Sequence, residues 1–218
     1  MAEINLLASY PRSRRNLPQR AVGQSPENIR IARLYGREYF DGPREQGYGG
    51  YRYDGRWIPV ARDIVAHWNL KPGDRVLDVG CAKGFLVKDL MAVCPGLEVF
   101  GLDISEYALM TCEPEVVGRL HLGNATRLPF PDDAFQTVLA INVLHNLDRE
   151  DCIRAVREIE RLAPGRGYIQ VDSYRTPAEK EIFLNWVLTA RTHYEPEGWL
   201  ELFAEAGYTG DHYWTIIE

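Results

Sequence analysis

The 218-residue chain lacks several things that would have pointed elsewhere. It has no apolar run of the ~20 residues that a membrane span needs. No apolar stretch follows the arginine cluster of residues 1–20, so no secretory leader is expected. Its four cysteines, Cys81, Cys94, Cys112 and Cys152, contain no C-x-x-C spacing, which argues against a disulfide framework or a zinc site and for reduced thiols in the cytoplasm. His67, His121 and His212 make no metal-ligand spacing with one another or with a cysteine, so no metal is expected. Residues 1–60 hold ten arginines and six acids but no lysine, whereas the remainder holds fifteen basic against twenty-five acidic residues. The main body therefore lacks the basic excess that nucleic acid requires. The arginine-rich start reads as a solvated tail, or as a contact for an anionic substrate or a partner's acidic surface.

What the chain does have is alternation. Short apolar runs at residues 76–79, 99–102, 120–122, 138–141 and 168–171 are separated by helical patterns, and a last strand-like run covers 213–217. Ser105 and Asp148 are expected to cap helices, Thr176-Pro177 with Glu179 reads as a capping box, and Gly207 as a C-cap. Regular alternation implies parallel strands with helices on both faces, and a ligand at the strands' carboxyl ends. Upstream, residues 1–24 read as an irregular or disordered arm. Residues 27–40 read as a helix with Ile29, Leu34 and Tyr35 turned inward, and 58–69 as a second helix.

Four strand ends carry the chemistry. Asp78-x-Gly80-Cys81-Ala82-x-Gly84 joins an acid-terminated strand to a helix through small residues, leaving free N–H groups for a carboxylate. Asp103 ends the second run, 25 residues past Asp78, where an acid accepts from a ribose diol. Ile104 follows it. Gly123-Asn124-Ala125 follows the third run and Asn142 the fourth, with His145 just beyond as a candidate general base. A dinucleotide fingerprint would read G-x-G-x-x-G, whereas Gly80 opens Gly-Cys-Ala-Lys-Gly-Phe, and no Tyr-x-x-x-Lys pair is present for hydride chemistry.

These motifs together resemble the class I S-adenosylmethionine-dependent methyltransferases, over roughly residues 59–218. The resemblance covers the acid-and-glycine loop, Asp103, Gly123-Asn124-Ala125, the lead-in Leu128-Pro129-Phe130-Pro131-Asp132-Asp133-Ala134-Phe135, and Leu144-His145-Asn146-Leu147. Ala82 replaces a commoner glycine and Asn124 a commoner aspartate, whose amide carbonyl is still expected to accept from adenine. Only one convincing strand follows Gly207, so six or seven strands are expected, with a segment near Tyr194 as a candidate for the missing one. The resemblance implies a Rossmann-like α/β fold, S-adenosylmethionine as cofactor, S-adenosylhomocysteine as product, and methyl transfer to a small molecule, at oxygen or nitrogen. The alternatives are a noncatalytic S-adenosylmethionine-binding or regulatory protein and a methyltransferase acting on a macromolecule. Neither a nucleic acid nor a membrane partner is expected; homo-oligomerisation stays open.

The chain divides, on this reading, into an arm, helix and cap over 1–58 and a cofactor domain over 59–218. The stretch 47–57 packs four glycines and four aromatics into eleven residues, too many glycines for a stable helix. It reads as a lid, or as a packed Ω-loop. In the lid reading Tyr51 meets the cofactor, Tyr48, Tyr53 and Arg56 meet the acceptor, and Arg52 or Arg56 meets a carboxylate. Tyr174 and Arg175 past the fifth run, and Trp186, Arg191, His193 and Tyr194 farther on, are expected to line or roof the acceptor pocket.

Overall fold

A computed structural model describes residues 1–11 and 17–217, without the Gln19 side chain. Arg12, Arg14 and Arg15 of the basic start lie outside the described residues. Among the described residues there are six strands: β1 (Arg75–Val79), β2 (Glu98–Asp103), β3 (Leu120–Leu122), β4 (Thr137–Ile141), β5 (Gly167–Ser173) and β6 (Asp211–Ile216). All pair in parallel in the order β3-β2-β1-β4-β5-β6. The chain walks outward from β1 to β3, then returns to lay β4 on the other side of β1. The switch between β1 and β4 is therefore the crevice where an open α/β sheet binds ligand.

Strand alternation sorts the core into two layers. Leu77, Val138 and Ile169 face α7 (Arg149–Leu162) and α9 (Pro196–Ala206), against Val156, Ile159, Trp199 and Phe203. Val76, Leu139 and Tyr168 face α4 (Ile58–Trp68) and α5 (Phe85–Val93), against Ile64, Leu86 and Leu90. With both faces covered, β4 is buried along its whole length, as a central parallel strand should be. α6 (Glu106–Met110) follows β2 and α8 (Pro177–Trp186) follows β5.

The upstream segment differs from its expectation. Residues 27–40 form two helices, α2 (Pro26–Ala32) and α3 (Arg37–Asp41), after a short α1 (Leu17–Val22). The break comes at Tyr35, whose φ of 50° is left-handed, followed by Gly36 at the N-cap. Leu34, expected inside, is 67% exposed. The first ten residues are docked, not loose. Ile4 N–H donates to His212 O and His212 N–H to Ala2 O, forming a parallel bridge outside β6. Leu6 is buried, and its N–H donates to the Tyr168 hydroxyl. The sheet edge is thus extended from the chain's start and not from the Tyr194 segment, which is irregular and packs on Trp199 at 5.5 Å.

Ser105, Thr176 and Gly207 cap as their types require. Asp148 occupies the N-cap position of α7 without a side-chain cap bond; its carboxylate pairs with Arg191 at 3.2 Å instead.

Candidate active site

β1 delivers Asp78 to the crevice, and the chain then turns through left-handed residues at Gly80 (φ 78°), Ala82 (49°) and Gly84 (77°). A Cβ on Gly80 would stand 2.2 Å from Val143 Cγ2, so glycine here lets the exits of β1 and β4 touch. Ala82 adopts a geometry that favours glycine, and its methyl is buried beside Phe40 and Ala108. Gly80 N–H and Cys81 N–H both donate to Leu102 O, curling the loop around the end of β2. Gly84 opens α5 without a side-chain cap, leaving that helix terminus free for an anion.

Asp103 closes β2. Its Oδ2 accepts from Ala82 N–H at 2.7 Å and its Oδ1 from Ser105 N–H at 2.8 Å. Burial pushes its carboxyl up, against the lowering by those amides. Ile104 N–H is a third backbone donor, and the carboxylate's roughly four lone-pair positions still leave acceptor capacity over. Asp78 has no such compensation: burial, then the nearby Asp103 charge, push it up to about 8. Ile104, next to Asp103, presents a 56% exposed apolar side chain. Asn142 is left-handed (φ 59°) and exposed at the end of β4.

Several expected side-chain roles do not survive the geometry. Asn124 Oδ1 already accepts from Thr126 N–H and Thr126 Oγ, both at 2.9 Å, so it holds its own turn and has no lone pair left for adenine. Ala125 turns its methyl into the core, leaving only backbone to face a ligand. Cys81 fills the space that Gly101 leaves by having no Cβ, and burial pushes its thiol well up, so it contributes packing and backbone. His145 was expected to act as base. It is buried, its Nδ1 accepts from Asp172 N–H at 3.2 Å, and burial lowers its pKa. With that lone pair engaged the neutral ring carries its proton on Nε2, where it can donate but not accept. Its carbonyl accepts from Arg191 and Thr192 N–H, so the residue fastens the β4 exit to neighbouring chain.

The cap meets the floor through aromatics. Tyr51 stacks on Phe85 at 4.6 Å and 12°, one residue into α5. Burial, and after it Tyr10, Asp78, Tyr39 and Asp103, hold the Tyr51 phenol protonated, which sets it close to the crevice carboxylates. Tyr48 joins the same ladder, 4.5 Å from Tyr51 and 5.1 Å from Tyr39. Tyr53 leaves it: its hydroxyl donates to Asp89 on α5 at 2.6 Å, with Lys88 over its ring. Arg56 pairs with Asp54 at the surface, and Arg52 is exposed. Tyr53 and Arg56, expected at the acceptor, are thus engaged by Asp89 and Asp54 in this structure. Arg175 is likewise exposed, 3.8 Å from Glu3, and Tyr194 is taken up by Trp199. Tyr174 is buried just past β5, its hydroxyl 3.0 Å from His193 Nδ1.

The contact that sequence reading missed is Asp41. Its Oδ2 accepts from Lys83 Nζ at 2.6 Å and from Tyr107 Oη at 2.7 Å, and its Oδ1 from Tyr51 N–H at 3.1 Å. Burial raises this carboxyl, but the Lys83, Tyr107 and Tyr51 bonds outweigh it and hold the acid below its ordinary range. Lys83 sits inside the glycine loop and is 7% exposed. A lysine in a loop of small residues was the available signal, because a buried ammonium requires a partner.

A family model for a methyltransferase domain matches residues 77–171, the segment from β1 to β5. A demethylmenaquinone methyltransferase from Symbiobacterium thermophilum is 34% identical over 164 residues, covering 70% of this chain and 64% of that protein. A ubiquinone/menaquinone biosynthesis C-methyltransferase from Burkholderia mallei is 34% identical over 113 residues, 49% of this chain and 46% of the relative. The chain thus spans between about half and 64% of these relatives' length. In fold, it is similar to a putative methyltransferase solved with the Haloferax volcanii Trm112 activator, with a TM-score of 0.53 and 22% identity over 67% of this chain and 66% of that one. The methyltransferase-domain match spans the Asp78 loop, Asp103 and the switch between β1 and β4, and over this segment the chain is similar to S-adenosylmethionine-dependent methyltransferases.

Proposed function

We propose that the chain methylates a small aromatic, quinone-type acceptor at carbon, using S-adenosylmethionine. The observation that carries the cofactor half is the Asp103 carboxylate, buried against the glycine loop with acceptor capacity to spare. The donor set fits the cofactor: Asp103 for the ribose hydroxyls, Ile104 for the adenine face, the open α5 terminus for the carboxylate, and Asp78 for the cationic methionine end. When bound, the cofactor supplies a methyl on a sulfonium that departs as a neutral thioether. The chain's own task is to bind, align and exclude water. The aromatic ladder Tyr39–Tyr48–Tyr51–Phe85 supports that exclusion, and residues 1–58 serve as the cap. The relatives' names favour carbon over the oxygen or nitrogen expected from sequence.

Titration calorimetry with S-adenosylmethionine tests the cofactor, and turnover with a panel of naphthoquinols and catechols tests the acceptor. Asp103→Ala should weaken cofactor binding by ~2–4 kcal/mol, the scale of a lost charge-assisted pair of hydrogen bonds. Undiminished affinity would remove the ribose role. Methylation only of hydroxyl oxygens would remove the carbon assignment.

A further inference from the structure

We infer that the cavity between α2 and residues 187–193 is the acceptor site, and that His193, backed by Tyr174, takes the acceptor's hydroxyl proton. This rests on the methyl-transfer reading. The cavity measures about 410 Å³, within the range of small-molecule sites. Ile29, Leu184 and Val187 give it an apolar side suited to a ring, while Arg33, Arg191 and His193 give it a polar one.

Its place in the fold suits the role. Tyr174 directly follows β5, and Arg191 and Thr192 N–H donate to His145 O, past β4. The cavity wall is therefore tied at Arg191 and His193 to the chain just past β4 and β5, and β4 borders the β1/β4 crevice. The cap holds the far wall by its backbone: Arg20 Nε donates to Trp186 O at 2.9 Å, Gln24 Nε2 to Val187 O at 2.8 Å, and Arg33 Nη2 to Ala190 O at 3.0 Å. Tyr35 links this wall to the cofactor side, since its carbonyl accepts from Ser105 Oγ next to Asp103 while its phenol bonds Thr189.

His193 is half-buried between Phe183 and Tyr174, 5.4 Å and 5.8 Å between ring centroids. In the tautomer that the proposed step uses, Nδ1–H donates to Tyr174 Oη and Nε2 carries the free lone pair. The charged groups around it are Lys180, whose ammonium lies 5.3 Å from the Tyr174 ring, Arg33, and Arg191 paired with Asp148. Burial and then Lys180 hold the imidazole neutral, so it is ready to accept. In the step, the acceptor's O–H bond breaks, the electron pair stays on oxygen, and the proton joins Nε2. The resulting oxyanion is stabilised by the guanidinium groups of Arg33 and Arg191. A phenol or hydroquinone is the class this site takes, because its oxyanion passes electron density into the ring.

The test uses the full chain with S-adenosylhomocysteine bound and, as probe, a nitronaphthol whose ionised form absorbs in the visible. Bound to wild type, the probe should ionise about one pH unit lower than in water, since neighbouring charges shift acids on that scale. His193→Gln should lose most of that shift while binding the neutral probe within about threefold, because hydrogen bonding is kept and basicity is not. Ala190→Phe, which fills the cavity, should abolish probe binding and leave S-adenosylhomocysteine binding unchanged. In turnover, His193→Gln should lose ~100-fold in kcat at neutral pH and regain it as the acceptor ionises unaided at high pH. Tyr174→Phe, a positioning change, should move the acidic limb of the wild-type pH profile downward by weakening support for the imidazolium. Saturable binding with an unchanged ionisation shift in His193→Gln, or with Ala190→Phe still binding the probe, overturns the inference. A wild-type protein that ignores S-adenosylhomocysteine but binds and ionises the probe sinks the methyl-transfer reading instead.

Discussion

The floor and the roof of this crevice are made by different means. The floor is backbone at strand ends. Asp78 lies one residue before the end of β1, Asp103 ends β2, and Gly80 and Asn142 directly follow β1 and β4, so parallel register positions all four. The roof is side chains reaching across the chain: Lys83 to Asp41 over 42 residues, Arg33 to Ala190 over 157, Gln24 to Val187 over 163 and Arg20 to Trp186 over 166. A floor of this kind tolerates little change of shape. A roof of this kind can open by breaking a few polar contacts.

The largest expected effect lies in the floor. Gly80→Ala places a methyl into Val143 and fixes a left-handed φ on a residue with a Cβ. Overpacking and strain together should cost ~2–5 kcal/mol in urea unfolding. Adding Val143→Ala should recover the overpacking share and leave the strain. Gly50 in the roof has a positive φ but nothing within 4 Å of a built Cβ, so Gly50→Ala should show the conformational cost alone. Equal costs at the two glycines would erase the contrast.

Protons separate the two regions by sign. Asp78, raised from 3.8 to about 8, holds a proton in the folded chain that the unfolded chain has released. Its contribution to stability is full below pH 3.8 and is lost as pH rises through about 8, by a few kcal/mol. Asp41, depressed by Lys83 and its other donors, does the opposite: its contribution is present above its unfolded value and lost as pH falls through the folded one. Alkali thus loosens the floor and acid loosens the roof. Asp78→Asn should flatten the alkaline slope of stability. A cationic ligand end favours ionised Asp78, so S-adenosylmethionine affinity should climb toward pH 8 with release of a proton. Calorimetry in two buffers of different ionisation enthalpy measures that proton, and a result of none would place the cation elsewhere.

A smaller effect is expected where Asp41 latches the cap. Asp41→Asn should cost about 1.5–3 kcal/mol, the scale of hydrogen bonds to a charged group. It should also raise hydrogen exchange across residues 46–57 before it affects the strands. Under the lid reading, S-adenosylmethionine protects that stretch in wild type, and Tyr51→Ala lowers turnover more than stability. Strong protection that the cofactor leaves unchanged would make the stretch a packed Ω-loop.

The same contrast explains what the sequence reading could see. Asp78, Gly80, Gly84 and Asp103 announce themselves by local pattern, an apolar run carrying an acid or a small residue at or near its end, and the structure places them at the β1 and β2 exits. Asn124 sits at the right strand end, but its carbonyl is captured two residues later by Thr126, a competition that residue types alone do not decide. His145 and His193 both lie near strand ends in three dimensions. Only contacts made far along the chain reveal that Asp172 takes the ring nitrogen of the first and Tyr174 shares that of the second. Tyr53 and Arg56 went astray for a related reason: in a glycine-rich stretch, neighbouring side chains need not share a face.

Leu34 provides the finest test of that reasoning. Helical spacing over 27–40 puts it on the inner face with Ile29, and a single helix there would bury it. The left-handed Tyr35 and the cap at Gly36 end the first helix early, turning Leu34 out to 67% exposure while Phe40, in the second, is buried at 3%. Leu34→Ser should therefore change stability by no more than ~0.5 kcal/mol, as surface substitutions do. Phe40→Ala should cost ~3–5 kcal/mol by opening a cavity under the aromatic ladder. A destabilisation at Leu34 comparable with Phe40 would mean that residues 27–40 form one helix in solution after all, with the cap seated differently on the glycine loop.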